Sequence, residues 1–319
     1  MVVTHAGKIA GIDCGTNSIR LLIAEPVYGW LRDVHREMRI VRLGQGVDAT
    51  GRFAPEALER TRAALTDYAE LLVTHGVSRV RMVATSATRD AANRNEFFDM
   101  TARVLGVAVP GAVAEVITGE QEATLSFRGA VGELDSADGP FVVVDLGGGS
   151  TELVLGDAGS GVSASFSADI GCVRLTERCL HSDPPSAGEI TAARGVAREL
   201  LGHALQVVPV QHARSWVGVA GTMTTLAALA HGLTAYDPRV IHLSRVGFGD
   251  LVAVCDRLLG MTRAQRAALG PMHPGRVDVI GGGAIVVQEL ARALSERAGI
   301  GELVVSEHDI LDGIALSIA

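Results

Sequence analysis

The chain has 319 residues, of which 48% are hydrophobic and 20% charged. Because one hydrophobic core rarely serves a chain of this length, we expect two domains. The net charge of −8 argues against sequence-independent binding to nucleic acid, which needs a basic surface. The four cysteines form no Cys-x-x-Cys pair, which favours reduced thiols and a cytoplasmic location.

The N-terminal stretch MVVTHAGKIAGIDCG contains no basic region followed by an apolar core. We therefore expect no signal peptide. Residues 9–24, IAGIDCGTNSIRLLIA, follow as strand, Asp-x-Gly-x-x-Ser loop and strand. Strands and helices then alternate up to the middle of the chain. In order, they are a strand at 34–41, a helix from Pro55 to Gly76, a strand at 80–84, a helix at 93–105 ended by Gly106, and a strand at 113–117.

A helix is predicted to begin at Gly119, because Thr118 and Gln121 have the spacing of a capping box. Glu120 and Glu122 then fall in its first turn. Acidic residues there commonly complement the helix dipole. A glutamate at this position could alternatively accept a proton from a water that attacks phosphorus.

A second hairpin, VVVDLGGGSTELVL at 142–155, aligns with the first without a gap when Asp13 is set over Asp145. Gly147, Ser150 and Glu152 then match Gly15, Ser18 and Arg20. The offset of 132 residues is typical of a duplicated domain. The later elements are strands near 141, 154 and 217, and helices near 187–205 and 250–259. Strands followed by helices predict layered α/β domains.

The glycine loops of the two hairpins have two interpretations. They are either plain surface turns or sites where backbone N–H groups approach phosphate closely. If the hairpins face each other across a cleft, the amides of Gly15–Ser18 and Gly147–Ser150 could bind a phosphate chain. The uncharged segment 215–236 is the one candidate membrane span, but its threonines and glycines favour a buried strand, turn and helix. We therefore expect neither nucleic acid nor membrane as a partner.

Several motifs together resemble the exopolyphosphatase/guanosine-pentaphosphate phosphohydrolase family of the actin-like phosphotransferase superfamily. The likeness covers nearly the whole chain. The matching segments are DCGTNS at 13, VATSATRDAAN at 83, ITGEQEA at 117, VVDLGGGSTEL at 143, GCVRLTE at 171, GVAGTMTTLAAL at 218 and HPGRVDVIGGGAIV at 273. Each glycine motif alone would be a weak signal, but the combination is specific.

The resemblance implies two ribonuclease H-like, actin-like domains around an interdomain cleft, with mixed sheets flanked by helices. We place them at 1–126 and 127–319. It also implies hydrolysis of a terminal phosphoanhydride with a divalent cation such as Mg²⁺. By the resemblance, Glu122 is the catalytic base. Asp145 and Glu152 hold magnesium and position water, while Gln121 replaces a glutamate of the family motif.

Asp13 occupies the place equivalent to Asp145, so we expect it as a third metal ligand, although aspartate also caps its own turn well. Forked arginine contacts suit phosphate oxygens. The predicted phosphate-binding residues are Gly15, Thr16, Asn17, Ser18, Arg20, Arg89, Arg94, Gly147, Gly148, Gly149, Ser150, Thr151 and Arg276.

Near the end, EHDILDG has Leu311 where the family motif often has arginine, so we assign no site there. The chain ends where short family members end, which puts tight, processive binding of long polyphosphate in doubt. The sequence therefore predicts an exopolyphosphatase that acts on short inorganic polyphosphate. The alternatives are a guanosine pentaphosphate 5′-phosphohydrolase, an ATP-dependent kinase or chaperone-like ATPase, and a non-catalytic polyphosphate- or alarmone-binding protein. The oligomeric state is not readable, and a homodimer is one candidate.

Overall fold

The computed structural model describes residues 7–28 and 30–319, so residues 1–6 of the stretch used to exclude a signal peptide lie outside the description. The chain forms two compact units. Unit 1 runs to Gly129 and also contains Ile310–Ala319, whereas unit 2 is Ala130–Asp309. The expected domain boundary at 126/127 lies three residues before this division. The last ten residues differ from the expectation, because they pack with unit 1.

Unit 1 contains a five-stranded mixed sheet with the order β3-β2-β1-β4-β5. Strands β1, β2 and β3 are antiparallel neighbours, whereas β4 and β5 run parallel to β1. Its elements are β1 (Ile9–Cys14), β2 (Ser18–Val27), β3 (Trp30–Ile40), α1 (Val47–Thr50), α2 (Pro55–His75), β4 (Arg79–Ala84), α3 (Ser86–Asp90), α4 (Arg94–Ala108), β5 (Ala114–Val116) and α5 (Gly119–Ala130).

Unit 2 contains a six-stranded mixed sheet with the order β10-β11-β9-β6-β7-β8. Its elements are β6 (Phe141–Leu146), β7 (Thr151–Asp157), β8 (Gly161–Ala168), α6 (Cys172–Cys179), α7 (Ala187–Val207), β9 (Ser215–Val219), α8 (Ala220–Ala230), α9 (Pro238–Ile241), β10 (Arg245–Gly247), α10 (Phe248–Leu259), α11 (Arg263–Ala267), α12 (Ile280–Ala298) and β11 (Glu302–Val305). Two mixed sheets flanked by helices confirm the predicted α/β class.

The final helix, α13 (Ile310–Leu316), returns to unit 1 because its apolar face covers the sheet. Leu311 and Ala315 join a buried cluster with Ile9 and Leu22 of the first hairpin. This close packing needs glycine: a Cβ on Gly313 would lie 2.0 Å from the carbonyl oxygen of Leu125 in α5. The helix that carries Glu122 is thus held directly against the chain terminus.

The two hairpins have the same turn. In each, the backbone amide of the glycine two residues after the aspartate donates to the carbonyl oxygen of the loop serine. The distance is 3.0 Å from Gly15 to Ser18 and 3.0 Å from Gly147 to Ser150. The strand registers also match, since Asp13 pairs with Arg20 and Asp145 pairs with Glu152. The equivalence of the two hairpins that the sequence predicts is confirmed by this geometry.

Of the two glycines predicted to end helices, one does so and the other does not. Helix α2 ends at Gly76 as predicted, with φ at 66°. The predicted stop at Gly106 is wrong, because α4 continues through it to Ala108. Glycine is tolerated inside a helix at modest cost when neighbouring residues pack well, and Leu105 of this turn is fully buried.

The uncharged segment 215–236 forms β9 and α8, as predicted for a buried strand and helix. Within residues 7–28 and 30–319, no helix combines the length and the apolar character that a membrane span requires.

Candidate active site

Glu122 lies in the first turn of α5, which starts at the predicted capping box. The Gln121 amide donates to Thr118 Oγ1 at 3.2 Å, and the Thr118 amide donates to Gln121 Oε1 at 2.9 Å. Glu120 in the same turn is exposed, which suits simple dipole complementation. Glu122 is only 7% exposed. A buried carboxyl group needs specific partners, so helix-dipole complementation alone does not explain the position of Glu122.

Those partners come from the segment that follows β4. Arg89 Nη1 donates to Glu122 Oε2 at 2.7 Å and to the carbonyl oxygen of Ile117 at 3.1 Å. The side chain of Thr85 also hydrogen-bonds Glu122. The arginine is therefore fixed at both the start of α5 and the carboxylate. This arrangement orients one carboxylate oxygen and leaves the group largely desolvated.

Burial raises the pKa of Glu122 from its ordinary value of 4.5 to about 7. The charge of Arg89 opposes this rise, and the negative charge of Asp13 adds to it. Burial disfavours the ionised form because the charge loses its hydration. A carboxyl group that titrates near neutrality can take up a proton at physiological pH, which a general base must do.

Asp13 and Arg20 form an ion pair across the first hairpin. Arg20 donates to Asp13 Oδ2 from Nη2 at 2.7 Å and from Nε at 3.0 Å. Asp13 is 6% exposed. Asp13, a predicted metal ligand, is thus ion-paired with Arg20, a predicted phosphate-binding residue. The first loop is anchored as well, since the carbonyls of Thr16 and Asn17 accept amides of the segment after β3, each at 2.8 Å.

The glycine loop of the second hairpin packs on the first turn of α6. The carbonyl oxygen of Gly147 accepts the Cys172 amide at 3.0 Å, and that of Gly148 accepts the Val173 amide at 2.9 Å. A Cβ on Gly171 would lie 2.4 Å from the backbone of Gly148. Small residues are therefore required here by backbone-to-backbone packing within unit 2. Binding of phosphate by the loop amides stays a prediction.

Asp145 and Glu152 are directly opposite each other on β6 and β7. Asp145 is 6% exposed and Glu152 is 1% exposed. The Ser167 hydroxyl donates to Glu152 Oε1 at 2.7 Å, which orients that carboxylate. Cross-strand neighbours on one face approach within reach of a shared ligand. Two carboxylates of this kind are the oxygen donors that Mg²⁺ prefers, so these residues fit the cation that the resemblance implies.

The remaining predicted residues have different surroundings. Ser150 and Thr151 are buried, and Thr151 Oγ1 donates to the Ile170 carbonyl at 2.5 Å. Arg94 is an exposed residue at the start of α4. Arg276 donates from Nη1 to Thr225 Oγ1 at 3.1 Å, and its guanidinium lies against Gly221, where a Cβ would be 2.2 Å from Nη2.

Three further residues belong to this description although the sequence analysis did not single them out. Thr85 contacts Glu122, and Ser167 holds Glu152. Arg174 is 8% exposed, and its amide donates to the Gly148 carbonyl at 3.1 Å. Thr85 and Arg174 lie inside quoted family motifs, which was the available signal. Ser167 had none, because only strand register places it beside Glu152.

The two sets of residues lie in different units. Unit 1 contributes Asp13, Arg20, Arg89 and Glu122, and unit 2 contributes Asp145 and Glu152. Whether the hairpins face each other across a cleft stays a prediction.

Comparison with known proteins identifies the family of the chain. The sequence profile of the Ppx/GppA phosphatase family matches residues 22–318. Exopolyphosphatase 2 of Mycobacterium tuberculosis is 72% identical over 316 residues, covering 98% of each chain. The crystal structure of an exopolyphosphatase-like protein is 46% identical with a TM-score of 0.93, covering 98% of each chain. The Aquifex aeolicus family member is 32% identical with a TM-score of 0.79, covering 98% of this chain and 97% of that one. The chain therefore belongs to the Ppx/GppA phosphatase family.

Proposed function

We propose that this chain is an exopolyphosphatase that hydrolyses the terminal phosphoanhydride of short inorganic polyphosphate and releases orthophosphate. The observation that carries the proposal is the buried carboxyl group of Glu122, oriented by Arg89, whose pKa burial raises to about 7. The 72% identity to a relative named exopolyphosphatase 2 supports the choice of substrate.

Glu122 acts as the general base. Its ionised carboxylate accepts a proton from water as the water oxygen attacks the terminal phosphorus, and the shortened polyphosphate leaves in line with the attack. Phosphoryl transfer depends mainly on positioning and charge neutralisation, so little covalent chemistry is asked of the protein. Arg89 supports this role by holding Glu122 Oε2 at 2.7 Å. The proton leaves Glu122 to solvent before the next cycle.

Asp145 and Glu152 are the proposed ligands of Mg²⁺, with Asp13 as a third candidate. A divalent cation in this position would neutralise negative charge on the phosphate oxygens. Ser167 keeps Glu152 oriented for this role. The buried setting of both carboxylates favours a cation, because two adjacent negative charges with little hydration repel each other.

Arginines and loop amides are the proposed contacts to the phosphate chain. Arg20 is held in place by Asp13, which presents a fixed guanidinium at the first hairpin. The amides of Gly15–Ser18 and Gly147–Ser150 would add donors of the kind that anion-binding turns supply. Arg94 and Arg276 are included as weaker contacts, since the first is exposed and the second is engaged with Thr225.

The test is phosphate release from short polyphosphate, long polyphosphate and guanosine pentaphosphate, measured side by side with and without Mg²⁺. We expect the highest kcat/KM with short polyphosphate and little activity without the cation. A higher value with guanosine pentaphosphate would name that substrate instead. If none of the three substrates releases phosphate, the chain is a phosphate-chain-binding protein and not an enzyme.

The cellular setting is part of the same proposal. We infer a cytoplasmic enzyme that does not bind nucleic acid, since the four cysteines are free thiols and the net charge is −8. A homodimer is the proposed assembly, and size-exclusion chromatography with light scattering would determine the mass in solution.

A further inference from the structure

A cluster of metal-ligating side chains lies in unit 2, and none of its members has a role in the site described above. It consists of Glu133, His242 and His308, and their nearest ligating atoms all lie within 4.8 Å of one another. We call it the His–Glu cluster. Glu133 follows α5, His242 directly follows α9, and His308 follows β11. Residues 109 and 66 positions apart thus converge on one point.

The distances within the cluster are close to those of a metal site. His242 Nε2 lies 3.0 Å from Glu133 Oε2, and His308 Nδ1 lies 3.5 Å from Glu133 Oε1. The imidazole rings of the two histidines have centroids 4.7 Å apart. Ligands bound to Zn²⁺ at about 2.0–2.1 Å lie roughly 3.3 Å apart in tetrahedral geometry. The two separations from Glu133 are thus within about 0.3 Å of the spacing of ligands in a tetrahedral site.

The backbone around the two histidines is firmly fixed. The Leu243 amide donates to the Val305 carbonyl at 2.7 Å, and the Val305 amide donates to the Ser244 carbonyl at 3.0 Å. The hydroxyl of Ser306 bonds the backbone of His308 as donor at 2.9 Å and as acceptor at 3.1 Å. A backbone that is already fixed lowers the entropy lost when its side chains bind an ion.

We propose that the His–Glu cluster binds a transition-metal ion, with Zn²⁺ as the ion best suited to two imidazoles and one carboxylate. The three side chains are 20%, 45% and 35% exposed for His242, Glu133 and His308. An ion can therefore enter from solvent, and water completes its coordination. Three protein ligands with an accessible fourth position make this a site of moderate affinity rather than a closed structural zinc centre.

The proton on His242 changes position when the ion binds. His242 Nδ1 accepts the Glu307 amide at 3.1 Å, so the ion-free imidazole carries its proton on Nε2 and donates it to Glu133. Zn²⁺ at Nε2 would displace that proton to solvent, and the neutral ring would take up a proton on Nδ1, so it would have to turn away from the Glu307 amide. The Glu307 amide loses its acceptor in exchange. The environment of this amide is consequently a reporter that is specific to metal binding at His242.

The positions of the ligands along the chain suggest what the ion stabilises. Glu133 lies four residues after Gly129, the last residue of the first segment of unit 1, and His308 lies two residues before Ile310. The ion would tie these two connecting segments to each other at their unit 2 ends. Because an ion that binds only the folded chain raises its stability by mass action, Zn²⁺ should raise the melting temperature.

The experiment is calorimetric titration of the full chain, free of any polyhistidine tag, with ZnCl₂. Glu152→Gln, which leaves the cluster intact and removes one proposed Mg²⁺ ligand, is titrated in parallel to identify heat from the Asp145–Glu152 site. We expect one equivalent of Zn²⁺ at the His–Glu cluster in both proteins, in addition to Zn²⁺ bound at the Asp145–Glu152 site. The affinity of the cluster should fall at least tenfold in His242→Ala and in His308→Ala. The matched control is His212→Ala. Because His212 is an exposed histidine outside the cluster, this variant should bind Zn²⁺ as the unsubstituted chain does.

Two results would overturn the proposal: no zinc binding at all, or binding that is unchanged in both cluster variants. Circular dichroism establishes that each variant is folded. If His242→Ala fails to fold after losing its bond to Glu307, His308→Ala alone decides. A shift of the Glu307 amide resonance on adding Zn²⁺ to the unsubstituted chain provides an independent readout. Absence of that shift at saturating Zn²⁺ would exclude coordination by His242 Nε2.

Discussion

Replacing Glu122 by glutamine tests the proposed chemistry most directly. Glutamine keeps the size of the side chain and its ability to hydrogen-bond Arg89, but it cannot accept a proton from water. Loss of a general base typically lowers the rate by about 10²–10⁴-fold. We expect kcat for polyphosphate to fall by that factor, with a much smaller change in KM, because the base acts in the transition state.

The same substitution has a calculable effect on stability. The pKa of Glu122 rises from 4.5 to about 7 in the folded chain, and each pKa unit corresponds to about 1.36 kcal/mol. The folded state therefore keeps a proton that the unfolded state releases between pH 4.5 and pH 7. Ionised Glu122 lowers the free energy of unfolding by about 3 kcal/mol above pH 7, and this penalty is absent at acid pH. Glu122→Gln should be more stable than the unsubstituted chain at pH 8 by up to this amount.

The assay combines steady-state phosphate release with urea unfolding at pH 5 and pH 8. In the unsubstituted enzyme, kcat/KM should rise with pH and level off above about 7, since the base must be ionised. Glu120→Gln is the matched control, because Glu120 lies in the same helical turn but is exposed. Its rate and its stability should both stay close to those of the unsubstituted enzyme.

A Glu122→Gln enzyme that keeps its rate within a few-fold would remove Glu122 from the mechanism. A variant that is slow and also less stable at pH 8 would indicate a structural defect instead. A rate profile whose rising limb lies near pH 4.5 would contradict the assigned pKa.

Three further variants probe the surrounding structure. Arg89 lowers the pKa of Glu122, so Arg89→Ala should shift the rising limb of the pH–rate profile to higher pH, and an unmoved limb would contradict the pairing. Glu152→Gln should raise the Mg²⁺ concentration for half-maximal rate at least tenfold; an unchanged Mg²⁺ titration would remove it as a ligand. Gly313→Ala places a Cβ 2.0 Å from the Leu125 carbonyl, so it should destabilise the chain by at least about 1–3 kcal/mol, and an unaltered thermal melt would show that α13 can shift.

Local features of the fold could be predicted because the residue patterns that specify them lie within short stretches of the chain. Two apolar runs, a turn glycine and a serine three residues after it specify each Asp-Gly hairpin within 14 to 16 residues. The capping box at Thr118 located the start of α5 for the same reason. Gly76 ended its helix in a left-handed conformation, whereas Gly106 did not end α4. A glycine alone does not say which of these occurs, since packing of the neighbouring turns decides.

The order of residues along the chain was therefore enough to predict the class of fold, the two matching hairpins and the family. Tertiary structure decided the state of the functional groups. Only folding shows that Glu122 is buried against Arg89, that Asp13 is paired with Arg20, and that the last helix packs on the first hairpin. It alone brings the His–Glu cluster together from three distant segments. The physical reason is that desolvation and ion pairing depend on which groups surround a side chain, and chain order does not specify those neighbours.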